Sequence, residues 1–142
     1  MNLETEFLEK CNLTLAKAFE LLEKEEDGTI SYELYRSAAI KEFEIILEQV
    51  GKLLKKCLRP YFSSPVVADQ LFFKDIFRHA VKFGLITVEV SERFMDYRDN
   101  RNSTAHDYGV GFANDTLLLL PQFIEDVNYI ITIIKNANDT KG

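Results

Sequence analysis

The chain has 142 residues, 46% of them hydrophobic and 28% charged, which is enough for one domain with its own core and too little for a second. A net charge of −6 excludes a surface that attracts nucleic acid on every side, so any RNA contact has to be local. Three prolines and six glycines are few for a β-rich or disordered chain, and the two cysteines, Cys11 and Cys57, fall on separate predicted helices, where they read as core thiols rather than a disulfide or metal site.

The start, Met1 to Glu6, is acidic and lacks the basic-then-apolar order of a signal peptide. No apolar run looks long enough to span a membrane, so a cytoplasmic protein without membrane contact is expected. Over residues 3–26, Leu8, Leu15, Ala18, Phe19 and Leu22 recur at helical spacing, and Asp27-Gly28 ends the pattern. Ser31 is an N-cap candidate for a second helix running to Leu58, with Ile40, Phe43, Ile46, Leu47, Val50 and Leu54 as its apolar face. Arg59-Pro60 stops it. A loop to Gln70 follows, in which Ser63-Ser64-Pro65 is a turn or helix-start signal. A short helix, Phe72 to Phe83, ends at Gly84, which suits the left-handed position after a helix. Val88 to His106 is the fourth helix. After Gly109-Val110-Gly111, a last helix starts at Asn114-Asp115 with Leu117, Leu120, Ile124, Val127, Ile131 and Ile134 as its stripe, and Pro121 inside it predicts a kink or a restart. The expected architecture is a single all-α domain over residues 1–142, an antiparallel bundle of four long helices plus one short one.

Chemistry concentrates in Arg101-Asn102-Ser103-Thr104-Ala105-His106-Asp107-Tyr108, a pattern R-N-x-x-x-H-x-Y at a helix end. Arginine keeps its proton and can clamp a phosphate bidentately, while histidine exchanges a proton near neutral pH. Together they suffice for cutting RNA without a metal. Asn102 and His106, four apart, share a helix face, but Arg101 sits about 100° round from Asn102. A second copy brought up by a two-fold axis would close that gap, so the motif points to a homodimer. The plainer reading makes Arg101 an ion-pair partner of Asp96, Asp99 or Asp107 and leaves His106 complementing a helix dipole.

Elsewhere, the stretch from Glu23 to Leu34 imitates a calcium loop, but its twelfth position is Leu34 where a bidentate carboxylate is needed. Lys52, Lys55, Lys56 and Arg59 form a basic run at the end of the second helix, which complements its dipole or, with Arg98, contacts phosphate. His79 reads as an exposed histidine without a catalytic partner. No phosphate-binding glycine loop is present, nor the Gly-Ser and paired aspartates of a nucleotidyltransferase, so neither a metal nor another cofactor is expected.

Several segments together resemble one family. Ile40-Lys41-Glu42-Phe43-Glu44, followed by Glu48 and Lys52-Leu53-Leu54-Lys55, is similar to a pattern I-x-x-F-E then E-x-x-x-K-x-L-K. Ile76-Phe77-Arg78-His79-Ala80 with Gly84-Leu85-Ile86 is similar to F-R-x-A-x-x-x-G-L-I. Arg98 to Tyr108 matches R-x-x-R-N-x-x-x-H-x-Y. On these residues the chain resembles the HEPN superfamily, in particular its nucleotidyltransferase substrate-binding, HepT-like group. Gly51 departs from the pattern, since the family usually carries a tryptophan there, and an unfilled hole would follow unless another residue occupies it.

The resemblance implies a homodimer whose two motifs meet in a cleft, encoded beside a small nucleotidyltransferase. In some relatives the HEPN protein is an RNase toxin that the partner silences by adding AMP to the motif tyrosine. Carried over by position, Arg101 and His106 would be catalytic, Asn102 would orient His106 or the phosphate, and Tyr108 would be the modified residue. The alternative is a non-catalytic substrate-binding subunit of a two-component nucleotidyltransferase, by likeness to the helical domain of kanamycin nucleotidyltransferase.

Overall fold

The structure, a computed structural model, describes residues 2–104 and 110–139. Helices α1 (Glu6–Glu23), α2 (Ile30–Leu58), α3 (Pro65–Asp69), α4 (Phe73–Lys82), α5 (Val88–Thr104) and α6 (Val110–Asp139) follow one another, with a 3₁₀ turn over Arg59–Tyr61, and the described residues contain no strand. The bundle is built round α2, which packs against every other helix. Its buried side, including Phe43, Ile46, Leu47, Val50, Leu54 and Cys57, follows the expected stripe, with Ile40 half-buried at its margin.

Local signals set most boundaries. Thr29, not Ser31, caps α2: its backbone is extended and its hydroxyl accepts from the Tyr32 amide at 3.1 Å. Gly28 just before it has φ +88°, a left-handed turn that glycine adopts without the usual steric cost. Ser64 caps α3 by accepting from the Val66 amide, with Pro65 at the first helical position, where its missing N–H costs nothing. The expected loop therefore contains a short helix. At the end of α4, Gly84 has φ +76°; its amide donates to the Val81 carbonyl and the Leu85 amide donates to the Ala80 carbonyl at 2.8 Å. That pair of bonds is the Schellman arrangement, and it turns the chain sharply into α5.

Two expectations about α6 change. The helix already begins at Val110, so Gly111 lies in its first turn rather than in a loose connection. It also runs through Pro121, so of the kink or restart expected there the restart does not occur. One glycine and one proline cost about 4 kcal/mol of helix propensity, which the burial of Leu120, Phe123, Val127, Ile130 and Ile134 in the core outweighs at about 2 kcal/mol each. The segment Asn114–Asp139 has the length and mean hydropathy (1.5) that could cross a membrane, contrary to the expectation that no run comes close. Here its apolar stripe faces α1, α2 and α5, and Asp126 sits buried within it.

Gly51 leaves no hole. A Cβ placed on it would lie 3.0 Å from Phe73 Cδ2 and 3.1 Å from Cε2, so the ring from α4 occupies the space against the α2 backbone. Phe73 joins an aromatic chain: its ring is 4.8 Å from Phe77, which stacks 4.7 Å from Phe94, and Tyr97 and Phe123 continue it. This cluster lies directly beneath α5.

Candidate functional site

The orientation of α5 is fixed on both sides. At its start Thr87 accepts from the Val90 amide, and Val90, Phe94 and Tyr97 enter the core. On the α6 side, Asp126 is buried and accepts from Arg93 Nε and Nη2 at 2.8 and 2.9 Å, from the Tyr97 hydroxyl and from Gln122 Nε2. Burial, then the hydrogen bond to this carboxylate, pushes the Tyr97 phenol up, and the same carboxylate raises the Arg93 guanidinium. A buried carboxylate with so complete a set of donors can take one position only, so α5 cannot rotate about its axis without stranding it.

On the α2 side two ion pairs cross between the helices. Arg98 Nη1 lies 2.6 Å from Glu48 Oε1, and Arg101 Nε lies 3.4 Å from Glu44 Oε2. The pairs stand about one turn apart on each helix, so Glu44 and Glu48 of α2 face Arg101 and Arg98 of α5 across one contact. Each pair is half-exposed and contributes about 0.2–1 kcal/mol, so its role is orientation rather than stability. Of the aspartates that looked like partners of Arg101, Asp99 takes Lys74 at 2.6 Å, and Asp107 lies outside the described residues. Glu44 was missed as a partner, although it stands about one helical turn from Glu48, as Arg101 does from Arg98, and that spacing carried the hint.

Asn102 points elsewhere. It is exposed and lines a groove with Phe72, Phe73, Lys74, Arg78 and Arg98, beside α4. Arg101 toward α2 and Asn102 toward α4 thus diverge, as the helical spacing required. Of the four cations named as phosphate contacts, Arg98, Lys52 and Lys55 line a common groove with Phe72 and Phe73, whereas exposed Lys56 does not line it. Arg98 lies 4.8 Å above the Phe73 ring. His106 and Tyr108 lie outside the described residues.

His79 is half-buried rather than exposed, its ring edge-on to Phe62 at 5.2 Å and stacked near Phe83 at 5.9 Å. Cys11 and Cys57 are both buried and unpaired as expected, and burial pushes the Cys57 thiol up to about 11. Among the described residues no group of three metal-ligating side chains converges.

These features define an all-α bundle with open grooves beside the far end of one firmly held helix. The chain belongs to the family described as nucleotidyltransferase substrate binding protein like, which it matches over residues 4–136. It is similar to the "Probable ribonuclease HepT" of Haemophilus influenzae, with 29% identity over 102 residues, 72% of this chain and 68% of that protein. In fold it is similar to a Haemophilus influenzae protein whose structure is described as revealing the fold of a substrate binding domain of a nucleotidyltransferase, at TM-score 0.78 and 22% identity, covering 93% of this chain and 99% of the other. A Thermus thermophilus protein matches at TM-score 0.66 and 27% identity, covering 89% of this chain and 98% of the other.

Proposed function

We propose that this protein is the HepT-like half of a two-gene system, a metal-independent endoribonuclease that works as a homodimer and is silenced by a nucleotidyltransferase encoded beside it. The observation that carries the reading is the divergence at the end of α5: Arg101 faces α2 and Glu44 while Asn102 faces the groove at α4. One copy cannot aim all the motif's polar groups at one phosphate, and a second copy related by a two-fold axis supplies the missing direction. The likeness to a probable ribonuclease supports the chemistry.

In this reading His106 takes the proton of a ribose 2′-hydroxyl, the 2′-oxygen attacks phosphorus, and the 5′-oxygen leaves with a proton from an acid. The products are a 2′,3′-cyclic phosphate and a 5′-hydroxyl. Arg101 stabilises the charge gathering on the phosphoryl oxygens, and Asn102 orients His106 or the phosphate. Glu44 holds the Arg101 guanidinium until the RNA phosphate competes for it. Silencing follows if the Tyr108 oxygen attacks the α-phosphorus of ATP on the partner and releases pyrophosphate, because the AMP then sets an anion beside Arg101.

The test is cleavage of a labelled RNA in EDTA. Arg101→Ala or His106→Ala should lower the rate by about 10²–10⁴-fold with an unchanged helical spectrum. A strict need for magnesium, or full activity in the doubly substituted protein, overturns the mechanism.

The engagement of Arg101 with Glu44 favours one second reading, a non-catalytic subunit that presents a substrate to the nucleotidyltransferase. In that case the variants change the partner's activity and no RNA is cut.

A further inference from the structure

Two shallow grooves run along the face formed by α2, α4 and α5. The first, about 250 Å³, is lined by Lys52, Lys55 and Arg98 together with Gly51, Phe72 and Phe73. The second, about 290 Å³, shares Phe72, Phe73 and Arg98 with it and ends at Asn102 in the R-N-x-x-x-H-x-Y motif. The shared residues make one track from the basic end of α2 to the motif. Gly51 forms part of its wall, with the Phe73 ring seated against the α2 backbone there.

The charge along the first groove is unbalanced. Its carboxylate, Glu48, is already taken by Arg98. Lys55 Nζ reaches only the Asp69 backbone carbonyl, at 3.5 Å, and Lys52 is exposed with no ion-pair partner among the described residues. In the second groove Asp75 is paired with Arg78, and Lys74 with Asp99. Two lysines are thus left to meet an anion on a protein whose net charge is −6. Between the grooves Phe72, at the start of α4, is 80% exposed. An aromatic ring left in water beside uncommitted lysines is the combination that single-stranded nucleic acid uses, the ring stacking a base and the amines following the backbone.

We infer that this track binds the single-stranded RNA flanking the cleavage point, one base stacking on Phe72 with its phosphates on Lys52 and Lys55, and feeds the strand past Arg98 to Asn102. The inference deepens the nuclease reading and rests on it for the identity of the strand. A strand fits better than a free nucleotide, because the two grooves are shallow and continuous through Phe72, Phe73 and Arg98, so their binding groups follow one another along the surface rather than converging on one enclosed point. Phe72 and the lysines bind and position the strand without touching the reacting atoms.

The experiment uses the full chain and a fluorescein-labelled, fully 2′-O-methylated single-stranded hexanucleotide, which lacks the nucleophile and cannot be cut, with binding read by anisotropy. Phe72→Ala should weaken binding by roughly five- to a hundred-fold, as loss of one stacked base does, and Phe72→Trp should retain it. Lys52→Glu should weaken binding and flatten its dependence on salt. Both sites are exposed at the groove, so folding is not at stake. Wild-type affinity in both Phe72→Ala and Lys52→Glu, no binding by the wild type, or displacement of the strand by ATP at equal concentration overturns the inference. Cleavage of a ribodinucleotide too short to reach Phe72 is measured alongside. Cleavage with unaltered binding in the variants sinks the track and leaves the nuclease standing, whereas weakened binding with no cleavage by any protein sinks the nuclease and leaves the track.

Discussion

Gly51→Ala separates the packing account from helix propensity because the two give opposite signs. Position 51 lies inside the 29-residue helix α2, where alanine in place of glycine ordinarily stabilises by about 1 kcal/mol. The new methyl would sit 3.0 and 3.1 Å from two Phe73 ring carbons, against about 3.5–4.0 Å for a relaxed carbon contact. The ring must therefore retreat by roughly half an ångström or more. The ring is in contact with Phe77 and with the Arg98 guanidinium, both at 4.8 Å, so the retreat is resisted and overpacking costs about 1–3 kcal/mol. The expected net effect is a loss of about 0–2 kcal/mol, or several degrees at most in the thermal midpoint. Replacing Phe73 by leucine removes the obstructing edge, so Gly51→Ala should be less harmful, or helpful, in that background, with a coupling of about 0.5–2 kcal/mol in the double-mutant cycle. Urea unfolding of the four proteins measures it. A gain of about 1 kcal/mol from Gly51→Ala alone, additive with Phe73→Leu, would refute the claim that Phe73 fills the family's tryptophan site.

Asp126→Ala should destabilise the fold by about 2–4 kcal/mol, since it strands the buried Tyr97 hydroxyl while Arg93 can still turn partly to water; a change below about 1 kcal/mol in urea unfolding would contradict the network. Stability should fall at alkaline pH. The Cys57 thiol is held near 11 against 9.0 in the unfolded chain, and Tyr97 is also raised above its ordinary 10.0, so the folded state keeps protons that the unfolded state releases. The stabilisation is complete below pH 9 and lost as pH rises towards 11, and Cys57→Ala should shallow the decline in the unfolding midpoint. Tyr108→Phe should remain an active nuclease that the neighbouring nucleotidyltransferase, with ATP and magnesium, cannot silence; an unchanged mass of the wild-type peptide bearing Tyr108 after incubation with an active partner would remove its role as modification target.

Much of the fold was legible because its signals are local. Leu8, Leu15, Ala18 and Leu22 marked α1 by spacing, and Gly84 took the left-handed position its chemistry suggested. Errors came where local signals competed. Thr29 and Ser31 are both good caps, and the register of the turn at Gly28 decided for Thr29. Gly111 read as part of a loop and Pro121 as a kink or a restart, yet tertiary burial of the stripe carries one helix through both positions. The site was legible as residue types but not as partners. Spacing showed that Arg101 and Asn102 diverge, but not that Glu44 receives the arginine, because that contact joins residues far apart in sequence. Phe72 went unread for a similar reason: an apolar residue at a helix start looks like core until its neighbours fail to cover it.

The shared site is tested most directly by mixing two inactive proteins. Arg101→Ala and His106→Ala should each be nearly dead as homodimers. After subunit exchange, about half the dimers carry one of each, and in those one of the two sites combines an intact Arg101 from one copy with an intact His106 from the other. The mixture should recover about a quarter of wild-type RNA cleavage, in EDTA and with a 2′,3′-cyclic phosphate product. No recovery after demonstrated exchange, or a monomer at micromolar concentration, would contradict a site built from two copies of α5.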